Sequence, residues 1–283
     1  MSSLSRRQFV QMAGAGLAAG SLAQIQAQTQ KGKLTAGEVV ERIKKNQGFP
    51  WDDSSYRDTF KIGGPESVVT GICSVFEAHI NVMQKALKAG LNMVINHEPT
   101  FWTDGDIIER VQDDPLYRWK LDFAKRNNLV VWRNHDHIHK VRPSPFGAGT
   151  AKILGWTSYQ TPGGYTIPPT TLNELAKYIA KAMQLRSVRV IGDPNLRVSK
   201  ISSGRGMELA ADTDCKIAND IREWDAFEYA RDAIFLGQKK GLIVISHEAS
   251  EEGGIAWFAE WLKPLIPEVP VQYIPTGCDF WTV

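Results

Sequence analysis

The sequence predicts an α/β fold made of two halves of similar size. Apolar runs typical of buried strands alternate with helical patterns of about 10–15 residues, an order that indicates sheets covered by helices. The pattern then restarts after a stretch rich in proline and glycine at 159–169. With 283 residues, 43% hydrophobic and 23% charged, the composition is that of an ordinary globular protein.

The first half is predicted to open with a helix whose N-terminal cap can be recognised in the sequence. Thr35 is followed three residues later by Glu38, as in a capping box, and apolar Val39, Val40 and Ile43 follow at helical spacing. We predict a polar and aromatic loop at 46–61 next. The other predicted elements are a strand at 67–75, a helix at about 78–89 ending before Gly90, a strand at 91–95, a helix at 116–126 and a strand at 129–132.

The second half begins after a predicted linker at 159–169, which holds three prolines and two glycines. Thr171 and Glu174 then cap a helix whose apolar side chains share one face. Further strands are predicted at 188–191, 198–202, 242–245 and 269–274, and further helices at 224–237 and 255–262. We therefore predict α/β domains at 31–160 and 161–283, with the C-terminal segment packing back on the first.

Residues 1–27 have the pattern of an export signal rather than of a folded segment. The run Ser5-Arg6-Arg7-Gln8-Phe9-Val10 fits the twin-arginine pattern, and a weakly apolar stretch at 12–23 follows it. That stretch is too short to cross a bilayer as a helix. We predict a periplasmic or secreted protein without stable membrane insertion; the alternatives are a short amphipathic helix or a retained anchor.

Charge and cysteine content exclude some classes of protein. The net charge is +2, and removing residues 1–27 takes away two arginines and no acids. Without a basic run, the chain lacks the electrostatic footprint of a nucleic-acid-binding protein. Its three cysteines cannot form a complete set of internal disulfides. Cys73 and Cys215 lie in or beside apolar runs and are predicted to be buried thiols, whereas Cys278 is a candidate for a bridge.

Five of the six histidines occur in three short patches, each directly after a predicted strand. In α/β folds, ligands bind beyond the carboxyl ends of strands, where the loops meet. Residues that are distant in sequence are therefore expected to meet at one site. The patches contain His97, then His135, His137 and His139, and finally His247.

A carboxylate accompanies every patch, and this combination predicts metal binding. Glu98 follows His97, Asp136 lies between His135 and His137, and Glu251 lies four residues after His247. Mixed imidazole and carboxylate ligands suit Zn, Mn, Fe or Co. This number of donors is enough for two divalent ions, with one carboxylate bridging them.

Each patch also has a simpler interpretation. His97 alone can be a capping or core histidine, and His247 with Glu251 can be an ordinary pair on one helix face. In a strand-like run from 135 to 139, alternate side chains face one way. Because three such histidines cannot easily reach one ion, at least one of them is expected to lie outside the ligand set. The coincidence of three patches favours a metal site.

Two of these motifs resemble those of the Nif-three-like family, the dinuclear-metal proteins also labelled GTP cyclohydrolase I type II homologues. The run Asn96-His97-Glu98-Pro99 resembles the family's strand followed by His-His-Pro, with Glu98 in place of the second histidine. The run Ser246-His247-Glu248-Ala249-Ser250-Glu251 resembles Gly-His-x-x-Ser-Glu. Weaker matches are Gly204-Arg205-Gly206, at a glycine-rich turn, and Asp279-Phe280-Trp281 near the C-terminus.

The resemblance covers most of the chain after the signal and implies a specific architecture. It implies two facing α/β domains with mixed sheets, two metal ions in the cleft between them, and a homo-oligomer, in many members a ring-shaped hexamer. The metal ligands would be His97, Glu98, His137, His247 and Glu251. The middle ligand is open among Asp136, His137 and His139, because the family's aspartate aligns with His137 in this chain.

The leading functional hypothesis is a metal-dependent hydrolase acting on an unknown small substrate. Asp136, Glu248 and Glu252 are candidates for the general base. His135, His139 and Arg205 are candidates for contacts with an anionic substrate.

Two other functions are considered. A non-catalytic metal-binding, metal-delivery or ring-forming scaffold protein would show the same ligand spacing. A metallo-β-lactamase-like or phosphoesterase fold is suggested by the His-Asp-His-x-His string, but the other histidine signatures of those folds are absent from the sequence.

Overall fold

Two mixed β-sheets form the framework of the chain in this computed structural model, which describes residues 32–204, 212–219 and 223–277. The α/β fold class predicted from the sequence is therefore confirmed. Several sequence predictions fall outside the described residues: the signal at 1–27, Arg205, Cys278 and the segment Asp279-Phe280-Trp281.

The first sheet contains the strands β1 (Phe60–Ile62), β2 (Ile72–Val75), β3 (Met93–Asn96), β4 (Val130–Arg133) and β11 (Val271–Tyr273). Their order in the sheet is β1-β4-β3-β2-β11, and only β1 runs antiparallel to its neighbour. The last strand thus returns from the end of the chain to the first sheet.

The second sheet has the order β5-β6-β8-β9-β10-β7, with a parallel centre of β8, β9 and β10 between antiparallel edges. Its strands are β5 (Gln160–Thr161), β6 (Gly164–Thr171), β7 (Arg189–Ile191), β8 (Arg197–Ser203), β9 (Cys215–Ala218) and β10 (Gly241–Val244). The division of the chain into two domains at residue 160 stays a prediction.

The helices of the described chain connect these strands. They are α1 (Ala36–Asn46), α2 (Ile80–Lys88), α3 (Pro115–Arg126), α4 (Pro145–Ile153), α5 (Leu172–Ala182), α6 (Glu228–Phe235) and α7 (His247–Leu262). Short 3₁₀ turns span Ile108–Arg110, Ile138–Lys140, Thr157–Tyr159 and Lys263–Leu265, and a π-helical turn spans Glu223–Phe227. None of the described helices is long and apolar enough to cross a membrane.

Two helix starts follow the capping chemistry that the sequence predicts. The Thr35 hydroxyl accepts a hydrogen bond from the backbone N–H of Glu38, while the Glu38 carboxylate accepts one from the Thr35 N–H. Thr171 caps α5 in the same way, accepting from the N–H of Glu174. These side chains satisfy N–H groups that the first turn of a helix leaves without a partner.

The predicted linker at 159–169 is wrong, because this stretch forms strands β5 and β6. β6 pairs with β8 along most of its length, and the register shifts between Thr166 and Thr170. Pro168 and Pro169 lie within that irregularity. Proline has no N–H to give to a ladder, but a bulge near a sheet edge tolerates it.

Some elements are absent from the sequence prediction, and others have different bounds. β1 falls at the end of the predicted loop, and α4 was not expected, although Ser144 caps it and Pro145 opens it as in many helices. The helix predicted at 255–262 begins eight residues earlier, because Ser246 caps α7 by accepting from the N–H of Ala249.

Helices cover both faces of the first sheet. Val39 and Ile43 of α1 and Phe258 of α7 belong to the buried cluster on one face, and Val82 and Ala124, of α2 and α3, belong to the cluster on the other. Because helices cover both faces of this sheet, β2, β3 and β4 are buried along their whole length.

The second sheet is covered in the same manner. α5 packs on one face through Leu172, Leu175 and Ile179, and α6 contributes Ala230 to a smaller buried cluster that includes Leu242. The thiols of Cys73 and Cys215 are free and buried, as predicted from their apolar surroundings. Burial raises the pKa of both thiols to about 12, which leaves them protonated.

Candidate metal centre

Six histidine and glutamate side chains from three segments meet at the carboxyl end of the first sheet. The first segment follows β3, the second follows β4, and the third is the first turn of α7, which itself follows β10 of the second sheet. The cluster consists of His97, Glu98, His135, His139, His247 and Glu251.

The contacts in the cluster are close and run from one segment to the next. The Nε2 atoms of His97 and His247 each lie 3.1 Å from Oε2 of Glu251. Oε1 of Glu98 lies 3.5 Å from Nε2 of His247 and 3.7 Å from Nε2 of His135. Glu251 and Glu98 therefore link the imidazoles of His97, His247 and His135 into one group.

These spacings match those expected between ligands of a common metal ion. Ligand atoms about 2.1 Å from one ion are about 3.0 Å apart at a right angle and about 3.4 Å apart at a tetrahedral angle. The contacts between glutamate oxygens and histidine nitrogens, from 3.1 to 3.7 Å, fall around those values. The residues present therefore fit a metal centre.

The orientation of His97 is fixed by the backbone. Its Nδ1 lies 3.0 Å from the carbonyl oxygen of Asn134, and since a carbonyl only accepts, Nδ1 must donate. In the neutral form of the ring, the lone pair of Nε2 of His97 then faces Glu251. Metal-binding histidines are typically held through the other ring nitrogen in this way.

Two buried atoms in the cluster lack a suitable partner in the described protein. Nε2 of His97 and Oε2 of Glu251 are both buried, yet neither makes a well-directed hydrogen bond, although they are 3.1 Å apart. When His97 is neutral with its proton on Nδ1, its Nε2 and the carboxylate oxygen cannot satisfy each other, since both are acceptors. A cation between them satisfies both, so this pair is the observation that most favours a metal.

Glu251 is held in its charged form. Burial alone would raise the pKa of this carboxyl, but its contacts with His247 and His97 outweigh burial and lower the pKa below its usual value. The ionised form of Glu251 is therefore favoured in the fold.

Asp136, a predicted general base, instead orients His135. Its Oδ1 lies 2.9 Å from Nδ1 of His135, and its Oδ2 accepts from the Ser55 hydroxyl. Burial opposes the charged form, but these bonds and the nearby Arg57 guanidinium outweigh it and lower the pKa of Asp136 to about 2. The ionised carboxylate accepts a hydrogen bond from the Nδ1–H of His135, which directs Nε2 of His135 toward Glu98.

His135 and His139, predicted as substrate contacts, both belong to the cluster. Ligand atoms of His97, His135 and His139 all lie within 4.8 Å of one another. Burial, followed by the neighbouring His97, lowers the pKa of His135 and so favours its neutral form. A neutral imidazole is the form that binds a metal.

The structure does not bring His137 into the cluster. Its Nδ1 donates to the buried carboxylate of Asp58, and its Nε2 accepts from the backbone N–H of Asp52 at 3.0 Å. The ring also stacks on Trp51, with centroids 3.5 Å apart. With both ring nitrogens of His137 in hydrogen bonds, neither is left for a metal, and His135 and His139 are the histidines of this segment that lie in the cluster.

Glu98, which replaces the second histidine of the family pattern, lies beside a buried arginine. Arg133 is fully buried, donates to the carbonyl oxygen of His97, and has a terminal nitrogen 3.4 Å from Oε2 of Glu98. The guanidinium therefore positions the loop that carries both residues. It also leaves Oε1 of Glu98 directed at the histidines.

Glu248 and Glu252 lie on a neighbouring face of α7, turned by about 100° from His247 and Glu251. Burial, with the charges of Glu252 and Glu77, raises the pKa of Glu248 to about 7. Glu252 instead accepts a hydrogen bond from the N–H of Thr276. Of the predicted bases, Glu248 is therefore the one whose pKa lies near neutrality.

Sequence reasoning missed the side chains that support the ligands. Asp58 accepts hydrogen bonds from the N–H groups of His135, Asp136 and His137, and so holds the loop after β4 in place. Nothing near Asp58 in the sequence signals this role. Arg133 carries a weak signal, since a charged residue at the end of an apolar run is unusual.

The fold and the site together define a class of protein: a two-sheet α/β protein with a histidine and glutamate cluster able to bind divalent metal. The profile of the Duf34/NIF3 family (NGG1p interacting factor 3) matches residues 59–276, which is most of the chain. The chain belongs to this family. No match was found among curated proteins.

Solved structures show the same fold at low sequence identity. A hypothetical protein of Staphylococcus aureus, SA1388, is 15% identical with a TM-score of 0.68, covering 89% of this chain and 100% of its own. A Bacillus cereus protein related to NIF3 is 11% identical with a TM-score of 0.69, covering 89% and 99%. The protein TTHA1606 from Thermus thermophilus is 16% identical with a TM-score of 0.60, covering 88% and 100%.

Proposed function

We propose that this protein is a metal-dependent hydrolase whose metal centre is the six-residue cluster described above. The observation that carries the proposal is the convergence of three separate segments on the orphaned pair of Nε2 of His97 and Oε2 of Glu251. Imidazole and carboxylate donors without thiolates favour Zn, Mn, Fe or Co.

Two ions per chain are proposed from the number of donors. Six side chains exceed the four ligands of a typical zinc site, whereas three for each ion is the usual protein contribution in a hydrolytic centre. His97, His247 and Glu251 form one group through their 3.1 Å contacts. His135 and His139 lie close to each other and to His97, and Glu98 lies between His135 and His247.

Bound divalent ions would supply Lewis acidity, which activates water and polarises a carbonyl or phosphoryl oxygen. The residues of the chain would supply the rest. Asp136 holds His135 in one tautomer, and the Asn134 carbonyl does the same for His97. Their Nε2 atoms are thereby fixed before a metal ion binds, so the two imidazole rings need no reorientation.

Glu248 is our candidate for the general base. Its pKa of about 7, raised by burial and by the charges of Glu252 and Glu77, is suited to accepting a proton near neutral pH. Asp136 is a poor base, since its pKa is about 2. Glu252 is engaged with the Thr276 N–H and serves to raise the pKa of Glu248.

The proposed substrate is a small molecule with a hydrolysable ester or amide bond, and an anionic one would be attracted to the cations. With His135 and His139 in the ligand set, Arg205 is the remaining candidate among the predicted substrate contacts.

The test is hydrolysis by protein that has been stripped with a chelator and then reloaded with Zn or Mn. Phosphoesters, cyclic amides and nucleotides form the substrate panel. We expect turnover that disappears on stripping and returns on reloading. Glu251→Gln should lower the rate about a hundred-fold or more, since even the loss of a residue supporting a ligand costs 10–100-fold.

Glu260→Gln is the matched control, because it makes the same change on the exposed side of the same helix. Its rate should equal that of the wild type. Equal rates for Glu251→Gln and the wild type would refute the centre. Metal binding without turnover on the whole panel would reject the hydrolase and favour metal binding or delivery.

Export through the twin-arginine route remains part of the proposal, supported by the run Arg6-Arg7-Gln8-Phe9. Fractionation of cells producing the full chain tests it. The wild type should reach the periplasm, and a variant with both arginines changed to lysine should stay in the cytoplasm. Assembly into a homo-oligomer is proposed from the family resemblance, and sedimentation of the purified protein tests it.

A further inference from the structure

A single guanidinium joins the loops after β3 and after β4, which carry four of the six side chains of the cluster. Arg57 lies before β1 and is not itself a candidate ligand. Its Nε and Nη2 atoms donate to the two carboxylate oxygens of Asp104, on the loop after β3, at 3.1 and 2.6 Å. Its Nη1 donates to Oδ1 of Asp136, on the loop after β4, at 3.3 Å. The planar fork of an arginine can hold two carboxylates at once, whereas a lysine ammonium acts as a point charge.

On one side of this bridge, Asp136 connects Arg57 to His135. Oδ1 of Asp136 lies 2.9 Å from Nδ1 of His135, so the guanidinium and the imidazole share one oxygen. The other oxygen of Asp136 accepts a hydrogen bond from the Ser55 hydroxyl. Arg57 is the partner that links this carboxylate to the opposite loop. The orientation of His135 therefore depends on a carboxylate that Arg57 helps to position.

On the other side, Asp104 connects Arg57 to the loop that bears Glu98. The backbone carbonyl of Asp104 accepts a hydrogen bond from the buried Arg133, whose guanidinium lies 3.4 Å from Glu98. The side chain of Asp104 is 67% exposed, and an ion pair at such a position contributes little to the stability of a fold. The bridge is therefore better suited to setting relative positions than to stabilising the protein.

The guanidinium of Arg57 is held on its face as well as at its edges. It lies 4.5 Å from the centre of the Tyr56 ring, and the side chain is largely buried. An aromatic ring against the face and two carboxylates at the edges restrict the guanidinium to one orientation.

We propose that Arg57 is a positioning residue of the metal centre: by bridging Asp104 and Asp136, it places His135 at the distance from Glu98 that a shared ion requires. This inference rests on the proposed two-ion centre and concerns the second ion, the one on the side of His135. Second-shell partners of this kind are known to affect metal affinity through the ligands that they orient.

The first ion, bound by His97, His247 and Glu251, should not depend on this bridge. His97 is fixed by the Asn134 carbonyl, and the other two residues lie on α7. The charge of Arg57 would instead repel both ions, since like charges repel at any position. Loss of Arg57 thus has opposite consequences under the two accounts. Charge alone predicts tighter metal binding, whereas positioning predicts weaker binding of the second ion.

The test titrates the metal-free, full-length protein with Co²⁺. Equilibrium dialysis counts the bound ions, and the visible absorption of the bound ion reports its ligand geometry. We expect Arg57→Met to weaken the second ion about ten-fold or more and to leave the first unchanged. Arg57→Lys keeps the charge but not the fork, so it should weaken the second ion as well. The thermal midpoint of either variant should fall by only about 2–4 °C.

Arg118→Met is the matched control, because Arg118 also pairs with an aspartate, Asp113 at 2.7 Å, but on the exposed surface at the start of α3. It should leave both affinities unchanged. Arg57→Gln replaces Arg57→Met if the latter folds poorly. Wild-type affinity for the second ion in Arg57→Met or Arg57→Lys, or an equal loss of both ions, would overturn the proposal and leave the two-ion centre intact. A wild type that binds fewer than two ions would refute the two-ion centre and this inference with it.

Discussion

At the scale of single residues, the cluster depends on where each imidazole proton is held. The Asn134 carbonyl and the Asp136 carboxylate fix the Nδ1 protons of His97 and His135, and both Nε2 atoms then face the glutamates. In His137 the neighbours instead engage both ring nitrogens. His137, only two positions from His135, thus has a structural role.

This difference predicts opposite effects of one substitution at two sites. His139→Gln should lower metal affinity about ten-fold or more, because it removes a donor of the cluster. His137→Gln should retain the metal but destabilise the protein by about 2 kcal/mol, since it breaks a buried bond to Asp58 and the stack on Trp51. Metal content and urea unfolding measure the two effects.

The reverse pattern would contradict the assignment. If His137→Gln lost the metal while His139→Gln kept it, the middle ligand would be His137, as the family resemblance suggested. The metal content of each variant is compared only after its folding has been checked by circular dichroism.

Lys120 gives a pH dependence that is separate from the metal. It is 2% exposed, donates to the Thr100 carbonyl and lies 5.3 Å from the centre of the Trp102 ring. Burial lowers its pKa from 10.5 to about 8, although the charge of Asp106 acts in the opposite direction. Between these two values, the unfolded chain binds more protons than the folded one.

Stability should therefore rise with pH across that window. Relative to Lys120→Met, the wild type should gain up to about 3 kcal/mol of unfolding free energy between pH 8 and pH 10.5. Urea unfolding of both proteins at several pH values measures the difference. A difference that stays constant with pH would show that Lys120 keeps its ordinary pKa in the fold.

The sequence was sufficient to predict that His97, His247 and Glu251 lie close together, because their segments follow strands that are recognisable from their apolar runs. It could not separate His135 and His139 from His137. The expected alternation assumed a strand-like run, but β4 ends at Arg133 and the chain turns into a 3₁₀ helix at Ile138–Lys140. The backbone N–H of His139 donates to the carbonyl of His135, an α-type turn in which residues four apart share a side and His137 lies opposite them.

At the scale of elements, the position of α7 depends on a close approach to α4. A β-carbon on Gly149 would lie 2.1 Å from the carbonyl carbon of Gly253, and one on Gly253 would lie 2.5 Å from that of Gly149. The two backbones thus touch where only glycine fits. Since α7 carries His247 and Glu251, this contact also helps to position two of the proposed metal ligands.

Gly149→Ala should therefore destabilise the protein by about 3 kcal/mol, because the added methyl group forces the helices apart. Gly147→Ala on the same helix is the matched control, since a β-carbon there has its nearest contact at 3.9 Å. The control should be neutral or stabilising by about 0.5–1 kcal/mol through helix propensity. Thermal and urea unfolding measure both changes, and equal stabilities would refute the close approach.

Helices with strong local signals were predicted well from the sequence, whereas strands that form through long-range pairing were not. The Thr-x-x-Glu patterns at Thr35 and Thr171 identified two helix starts to the residue. β6 was read as a linker because its prolines oppose a strand by propensity, yet pairing with β8 and a bulge accommodate them. Such pairing involves residues about 30 positions apart, which a local pattern cannot show.

At the scale of the whole molecule, the chain returns to its first sheet to complete the site. β10 of the second sheet leads directly into α7, which packs on the first sheet, and β11 then pairs with β2. The third group of ligands therefore reaches the carboxyl ends of β3 and β4 only because the two halves are assembled around α7. The solved structures compared above share the two-sheet α/β fold.

The most direct test of the metal centre is anomalous diffraction from crystals of the protein loaded with zinc or manganese. We predict two anomalous peaks per chain among the six side chains, with nitrogen ligands about 2.0–2.1 Å away, including Nε2 of His97. The absence of a peak beside His97, or a peak bound instead by His137, would contradict the account.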